Sequence, residues 1–229
     1  MRVTVPHAWP TVQEEAEAIQ DRLRPLVRVE ADESAPPPIR LAAGLDVAYA
    51  KDDDRLAAAV VVLDADTLEV VERVSAVGRA AFPYVPGLFA FRELPTLVTA
   101  LERLTVEPDV LVCDGQGVAH PRRFGLACHL GVLTGLPAIG VAKQPLVGEY
   151  AEPGRERGGW SPIRDGGEIV GRALRTQTGI KPVFVSVGHR MSLDAATRLT
   201  LRLSPAYRLP ETTRHADRLC RDALRAHAA

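Results

Sequence analysis

The sequence is poor in cysteine: three thiols in 229 residues, Cys113, Cys128 and Cys220, with no CxxC pair and no even set. That excludes a disulfide framework and a cysteine-based zinc finger. No apolar run is long enough to cross a bilayer, so no membrane partner is expected. The first ten residues lack a basic stretch followed by an apolar one, so no secretory leader is expected and the expected location is cytoplasmic. Only Lys51, Lys143 and Lys181 of the 28 basic residues are lysine, a bias given no functional weight. There is no internal repeat. There is also no Gly-rich phosphate loop, which argues against a sugar-kinase-like reading.

What is present is a composition typical of folded proteins, 46% hydrophobic and 25% charged. The net charge of −1 hides a gradient. Residues 1–70 carry 7 basic and 14 acidic side chains, whereas residues 171–229 carry 11 and 4. A basic C-terminal quarter suggests a surface facing a polyanion; the plainer alternative is arginines decorating helix faces.

Periodicity gives a coarse map. Residues 11–25 read as a helix capped by Thr11, and residues 31–40 as a Pro-rich loop. Three β-compatible runs, 41–50, 56–66 and 68–80, with short connections suggest an antiparallel meander. A helical stripe follows Pro95, then a strand at 109–115, a helix around Leu126–Leu133 and a strand at 136–143. Residues 144–167 read as an exposed loop, and 168–174 and 181–187 as late strands. Ser192 caps one helix, and Thr212 or Thr213 caps the last. The order βββ-α-β-α-β predicts an α/β fold, a ribonuclease-H-like mixed sheet flanked by helices.

Four carboxylates stand out. Asp46 has apolar neighbours on both sides in a strand, which is costly unless its charge is compensated. Asp114 ends an apolar strand where it opens into a Gly turn. The two could converge on Mg²⁺ or Mn²⁺; alternatively Asp46 pairs with a buried arginine and Asp114 forms the turn. Glu93 and Asp217 lie near helix starts, where dipole complementarity or an arginine partner is the ordinary explanation.

Six segments then occur in order: Gly44-Leu45-Asp46-Val47, Phe82-Pro83-Tyr84-Val85-Pro86-Gly87-Leu88, Phe91-Arg92-Glu93, Asp114-Gly115-Gln116-Gly117-Val118-Ala119-His120-Pro121-Arg122, Gly140-Val141-Ala142-Lys143 and Tyr207-Arg208-Leu209-Pro210. Together they resemble endonuclease V, the deoxyinosine-directed repair nuclease, over about residues 10–225. The resemblance implies one domain over 1–229, with a catalytic core at 41–225 behind an N-terminal helix and Pro-rich loop at 1–40. It implies Mg²⁺-dependent cleavage (Mn²⁺ as substitute) of the inosine-bearing strand at the second phosphodiester 3′ of the lesion, leaving 3′-hydroxyl and 5′-phosphate ends.

Carried over by position, Asp46, Glu93 and Asp114 become metal-binding and catalytic, with Asp217 as a further acidic group and Lys143 near the scissile phosphate. Tyr84, on a loop stiffened by Pro83 and Pro86, becomes the tip of a strand-separating wedge that includes Val85. Gly87, Phe89, Gly115, Gly117, Leu126 and His120 surround the displaced base. Locally, Lys143 could equally be a strand-end salt bridge, His120 a loop cap and Tyr84 a core aromatic. Gln116 stands where many members carry His, keeping hydrogen bonding but not proton uptake. The partner is inosine-containing DNA; an inosine-directed endoribonuclease and a nucleic-acid-binding protein of weak catalysis are the alternatives, and a monomer is the default expectation.

Overall fold

The computed structural model describes residues 1–31 and 38–227, so most of the Pro-rich 31–40 loop lies outside the described residues. Its elements are α1 (Gln13–Leu23), β1 (Leu41–Tyr49), β2 (Arg55–Asp64), β3 (Val70–Arg79), α2 (Ala90–Glu102), β4 (Val110–Cys113), α3 (Leu126–Thr134), β5 (Ala138–Ala142), β6 (Trp160–Asp165), β7 (Glu168–Leu174), β8 (Val183–His189), α4 (Leu193–Arg202) and α5 (Glu211–Ala226). The strands form one eight-stranded sheet ordered β3-β2-β1-β4-β5-β8-β7-β6. The meander β1–β3 is antiparallel, β1, β4 and β5 run parallel, and β8, β7 and β6 return antiparallel. This is the ribonuclease-H-like α/β architecture that the strand and helix order predicts.

Alternation along the central strands sorts the two faces. Ala43, Leu45, Val60 and Leu111 pack under α2 and α3. On the opposite face Val110, Val112, Ile139 and Val185 pack under α4, and Ala59, Val61 and Leu63 under α5. Gly44 is where α5 lands: a Cβ there would sit 2.1 Å from the Thr212 carbonyl carbon. The start of α5 therefore lies directly on the β1 backbone, two residues from Asp46 and on the same face.

Several local expectations need correction. Thr11 does not cap α1; the N-cap is Val12, and Glu15 reaches back to accept from the Thr11 N–H at 2.9 Å. Helix α2 begins at Ala90 and contains Pro95, because Phe91, Leu94, Leu97, Val98 and Leu101 bury one continuous face across the proline. The expected loop at 144–167 contains β6, whose Pro162 is tolerated because the strand lies at the sheet edge. Pro210, not Thr212 or Thr213, occupies the N-cap of α5, and the Thr213 hydroxyl instead donates to the Pro210 carbonyl at 3.1 Å. The Ser192 cap is as expected, its hydroxyl accepting from the Ala195 N–H at 3.1 Å.

Candidate active site

The parallel register sets Leu45 beside Cys113, so the next residues, Asp46 and Asp114, lie abreast at neighbouring strand ends. The Asp114 N–H donates to the Leu45 carbonyl at 3.2 Å, continuing the pairing past β4. Lys143 follows directly after β5, the next strand over, and its ammonium reaches the Asp114 carboxylate at 2.5 Å. Glu93 arrives from the first turn of α2 and Asp217 from α5. All five line one open cavity of about 800 Å³, together with Tyr49, Lys51, Arg221 and Arg225.

The charges in this cavity do not balance locally. Among the described residues the only hydrogen bond to the Asp46 side chain comes from the Val47 N–H at 2.8 Å, so no buried arginine neutralises it. Burial pushes the Asp46 carboxyl up to about 7, reinforced by Asp114 and opposed by the Val47 N–H. Burial also pushes Glu93 up to about 8, although the Tyr49 hydroxyl donates to its Oε1 at 3.1 Å. For Lys143, burial works downward, but Asp114, Asp46 and Asp217 outweigh it and raise its pKa. Asp217 has the arginine partner that its helix position suggested, Arg221 at 2.7 Å, while still lining the cavity. Two carboxylates that resist ionisation beside a third suit an oxygen-seeking divalent cation. Among the described residues no three His, Cys, Asp or Glu side chains are already gathered around a single metal position.

The aromatic loop stands apart from this cavity. Tyr84 is 76% exposed, which rules out a core anchor. The Leu88 N–H closes the following turn onto the Val85 carbonyl at 2.9 Å, and Gly87 takes φ +81°, a conformation costly for other residues. His120 is buried against that turn. Its Nδ1 accepts from the Arg122 N–H at 3.1 Å, so Nε2 carries the proton and donates to the Gly87 carbonyl at 2.8 Å. Burial holds the His120 pKa down at about 4, keeping the ring neutral. Gly115 lies against Leu126 and Phe89. Gly117 is placed differently: a Cβ there would fall 1.9 Å from the Val187 carbonyl oxygen, so it packs on β8. Gln116 is buried and donates to the Gln144 carbonyl at 2.9 Å, tying this loop to the residue after Lys143.

Residues 22–218 match the family model for Endonuclease V. The chain belongs to the endonuclease V family. It is an endonuclease, and Endonuclease V of Streptomyces avermitilis is 59% identical over 224 residues, 97% of each chain. A crystal structure of Endonuclease V from that organism superposes with a TM-score of 0.92 at 57% identity, covering 100% of both chains. Endonuclease V of Ciona intestinalis, in complex with a 24mer DNA containing an inosine followed by a ribo-adenosine, has a TM-score of 0.81 at 28% identity, covering 93% of this chain and 98% of that one.

Sequence reasoning missed Tyr49, which holds Glu93 and stacks under the Arg92 guanidinium at 5.5 Å. The signal was there: Leu45, Val47 and Tyr49 alternate on the α2 side of β1, and a tyrosine closes the run. It also missed Arg208, whose guanidinium donates to the carbonyls of Lys143 at 2.7 Å, Pro182 at 2.8 Å and Lys181 at 3.0 Å, bracing the Lys143 segment. Part of the basic C-terminal quarter is paired within the chain. Arg202 is tied to Asp66 at 2.6 Å and Arg175 to Glu152 at 2.6 Å, because acidic groups elsewhere in the chain fold against them.

Proposed function

We propose that this endonuclease recognises deoxyinosine, the product of adenine deamination, in DNA and cuts the same strand at the second phosphodiester 3′ of the lesion, in cytoplasmic DNA repair. The observation that carries the reading is the gathering of Asp46, Glu93, Asp114 and Asp217 with Lys143 in one cavity, with Tyr84 exposed on a separate loop. Asp46, Glu93 and Asp114 fit a divalent cation, because burial leaves two of them poorly ionised without one. When bound, Mg²⁺ or Mn²⁺ supplies the positive charge that activates water and stabilises the leaving 3′ oxygen.

The side chains do the remaining work. The Lys143 ammonium, held by Asp114, offsets charge on the non-bridging phosphate oxygens. Tyr84 stacks against bases exposed when the strands part, beside Val85, with Pro83 and Pro86 keeping the loop stiff. Phe89, Gly115 and Leu126 receive the displaced hypoxanthine, whose weaker pairing lowers the cost of flipping. His120 acts by clamping the Gly87 turn rather than by proton transfer, since its two nitrogens are already committed.

A second reading, cleavage of inosine-containing RNA, is favoured by one observation: the Ciona intestinalis relative is complexed with DNA in which a ribo-adenosine follows the inosine. Cleavage of two inosine duplexes, identical except for deoxy- or ribo-adenosine after the inosine, tests both. The DNA reading expects efficient nicking of the all-deoxy strand; cutting only where the ribonucleotide is present supports the ribonuclease instead.

A further inference from the structure

Helix α5 separates two concavities. Asp217, Arg221, Leu224 and Arg225 face the carboxylate cavity, whereas His215, Arg218, Leu219 and Asp222 face a second hollow of about 310 Å³, completed by Val61, Val70 and Arg73. Val61 and Arg73 are cross-strand partners on β2 and β3, so the β hairpin supplies one wall and α5 the other.

The charge of this hollow is distinctive. On α5, Arg214 is engaged by Glu211, Arg221 by Asp217 and Arg225 by Asp222. Arg218 has no ion pair or side-chain hydrogen bond among the described residues, and neither has Arg73 across the hollow from it. Asp222, the acidic residue on the rim, is neutralised by Arg225. The floor is apolar, from Val61, Val70 and Leu219, which strengthens any charge interaction above it. Two arginines sharing one concavity repel unless an anion lies between them, and the planar guanidinium fork matches phosphate oxygens.

We infer that the Arg73–Arg218 hollow is a binding subsite for a backbone phosphate of the nucleic-acid substrate, outside the cleavage cavity. A helix with its side chains is roughly 10–12 Å across. That is about three nucleotide rises at roughly 3.4 Å each, so a substrate leaving the carboxylate cavity over α5 reaches the hollow within a few nucleotides. The inference rests on the reading of the carboxylate cavity as the cleavage site for nucleic acid. It does not depend on inosine recognition, because a phosphate contact carries no base information.

The test is equilibrium binding in Ca²⁺ of inosine-containing and undamaged duplexes of the same length, measured over a range of salt. The proteins are wild type, Arg73→Ala/Arg218→Ala and Arg73→Lys/Arg218→Lys. The Ala pair should make the slope of log affinity against log salt shallower by about 0.9, one phosphate, equally on both duplexes. The Lys pair, keeping the charge, should restore the slope. An unchanged slope in the Ala pair overturns the subsite, as does a change confined to the inosine duplex or one that the Lys pair shares. Failure of the inosine reading would appear separately, as equal wild-type cleavage of the two duplexes in Mg²⁺.

Discussion

Asp46 is costly to the fold, and it is one of the carboxylates proposed to do the chemistry. Its carboxyl is pushed up to about 7 by burial and by Asp114, and Glu93 is pushed up to about 8. The ordinary values are 3.8 and 4.5, so the unfolded chain releases these protons first as pH rises. The resulting stability is complete below about pH 4 and is lost progressively as pH climbs toward 8. The buried His120 and His129, held below the ordinary histidine value, work the other way up to about pH 6.5, so thermal unfolding of the metal-free protein should show Tm falling between pH 6.5 and 8, and Asp46→Asn should flatten part of that fall. Mg²⁺ should raise Tm more at pH 8 than at pH 5, because cation and proton compete for the same oxygens. A wild-type Tm that falls no more between pH 6.5 and 8 than that of Asp46→Asn would contradict the assignment. Asp46→Ala and Asp114→Ala should each abolish cleavage while leaving a folded protein, as measured by turnover at saturating Mg²⁺ alongside circular dichroism. At this scale the carboxylates were legible, because a charge inside an apolar strand demands a reason. Arg208 was not, since a donor to loop carbonyls leaves no pattern in the chain, and Tyr49 showed only as the polar end of an alternating run in β1.

Elements position these residues by contact, and two contacts make separate predictions. Helix α5 rests on Gly44 with no room for a methyl group, so Gly44→Ala must displace the helix that carries Asp217. Overpacking of this kind typically costs about 1–3 kcal/mol. The variant should lose both thermal stability and activity; wild-type Tm together with wild-type turnover would show that the helix is not seated as described. The Tyr84 loop predicts a different signature. Tyr84→Ala should weaken binding to an inosine duplex more than to a single strand carrying the same base, by about 1–3 kcal/mol, or ten- to a hundredfold. Tyr84→Phe should be mild. A four-way titration in Ca²⁺ decides this, and equal losses on both substrates would leave Tyr84 as a loop prop. Strands β1 and β2 were readable as continuous apolar runs, and α5 by its period of 3.6. The failures were at boundaries. Pro95 and Pro162 suggested a helix start and a loop, yet an apolar face carries α2 across the first, and a sheet edge accommodates the second.

Across the whole molecule, residues far apart in sequence meet because three neighbouring strands end at one edge of the sheet. Asp114 and Lys143 directly follow the ends of β4 and β5, Asp46 lies in β1 just past its last residue paired with β4, and Glu93 and Asp217 descend from helices on opposite faces. That convergence was implied by six short segments in a fixed order, none informative alone. The segmental charge count was less faithful, because Arg175 and Arg202 are paired with acidic residues that the count placed in other segments. The central claim is that these carboxylates drive metal-dependent cleavage directed by inosine. The most direct measurement maps strand breaks in matched duplexes, one with inosine and one with adenine, using wild type and Asp46→Asn with Mg²⁺ or with chelator. The account predicts one nick, at the second phosphodiester 3′ of inosine, made only by wild type with Mg²⁺. Equal nicking of the adenine duplex, cleavage in chelator, or near-wild-type activity of Asp46→Asn would contradict it.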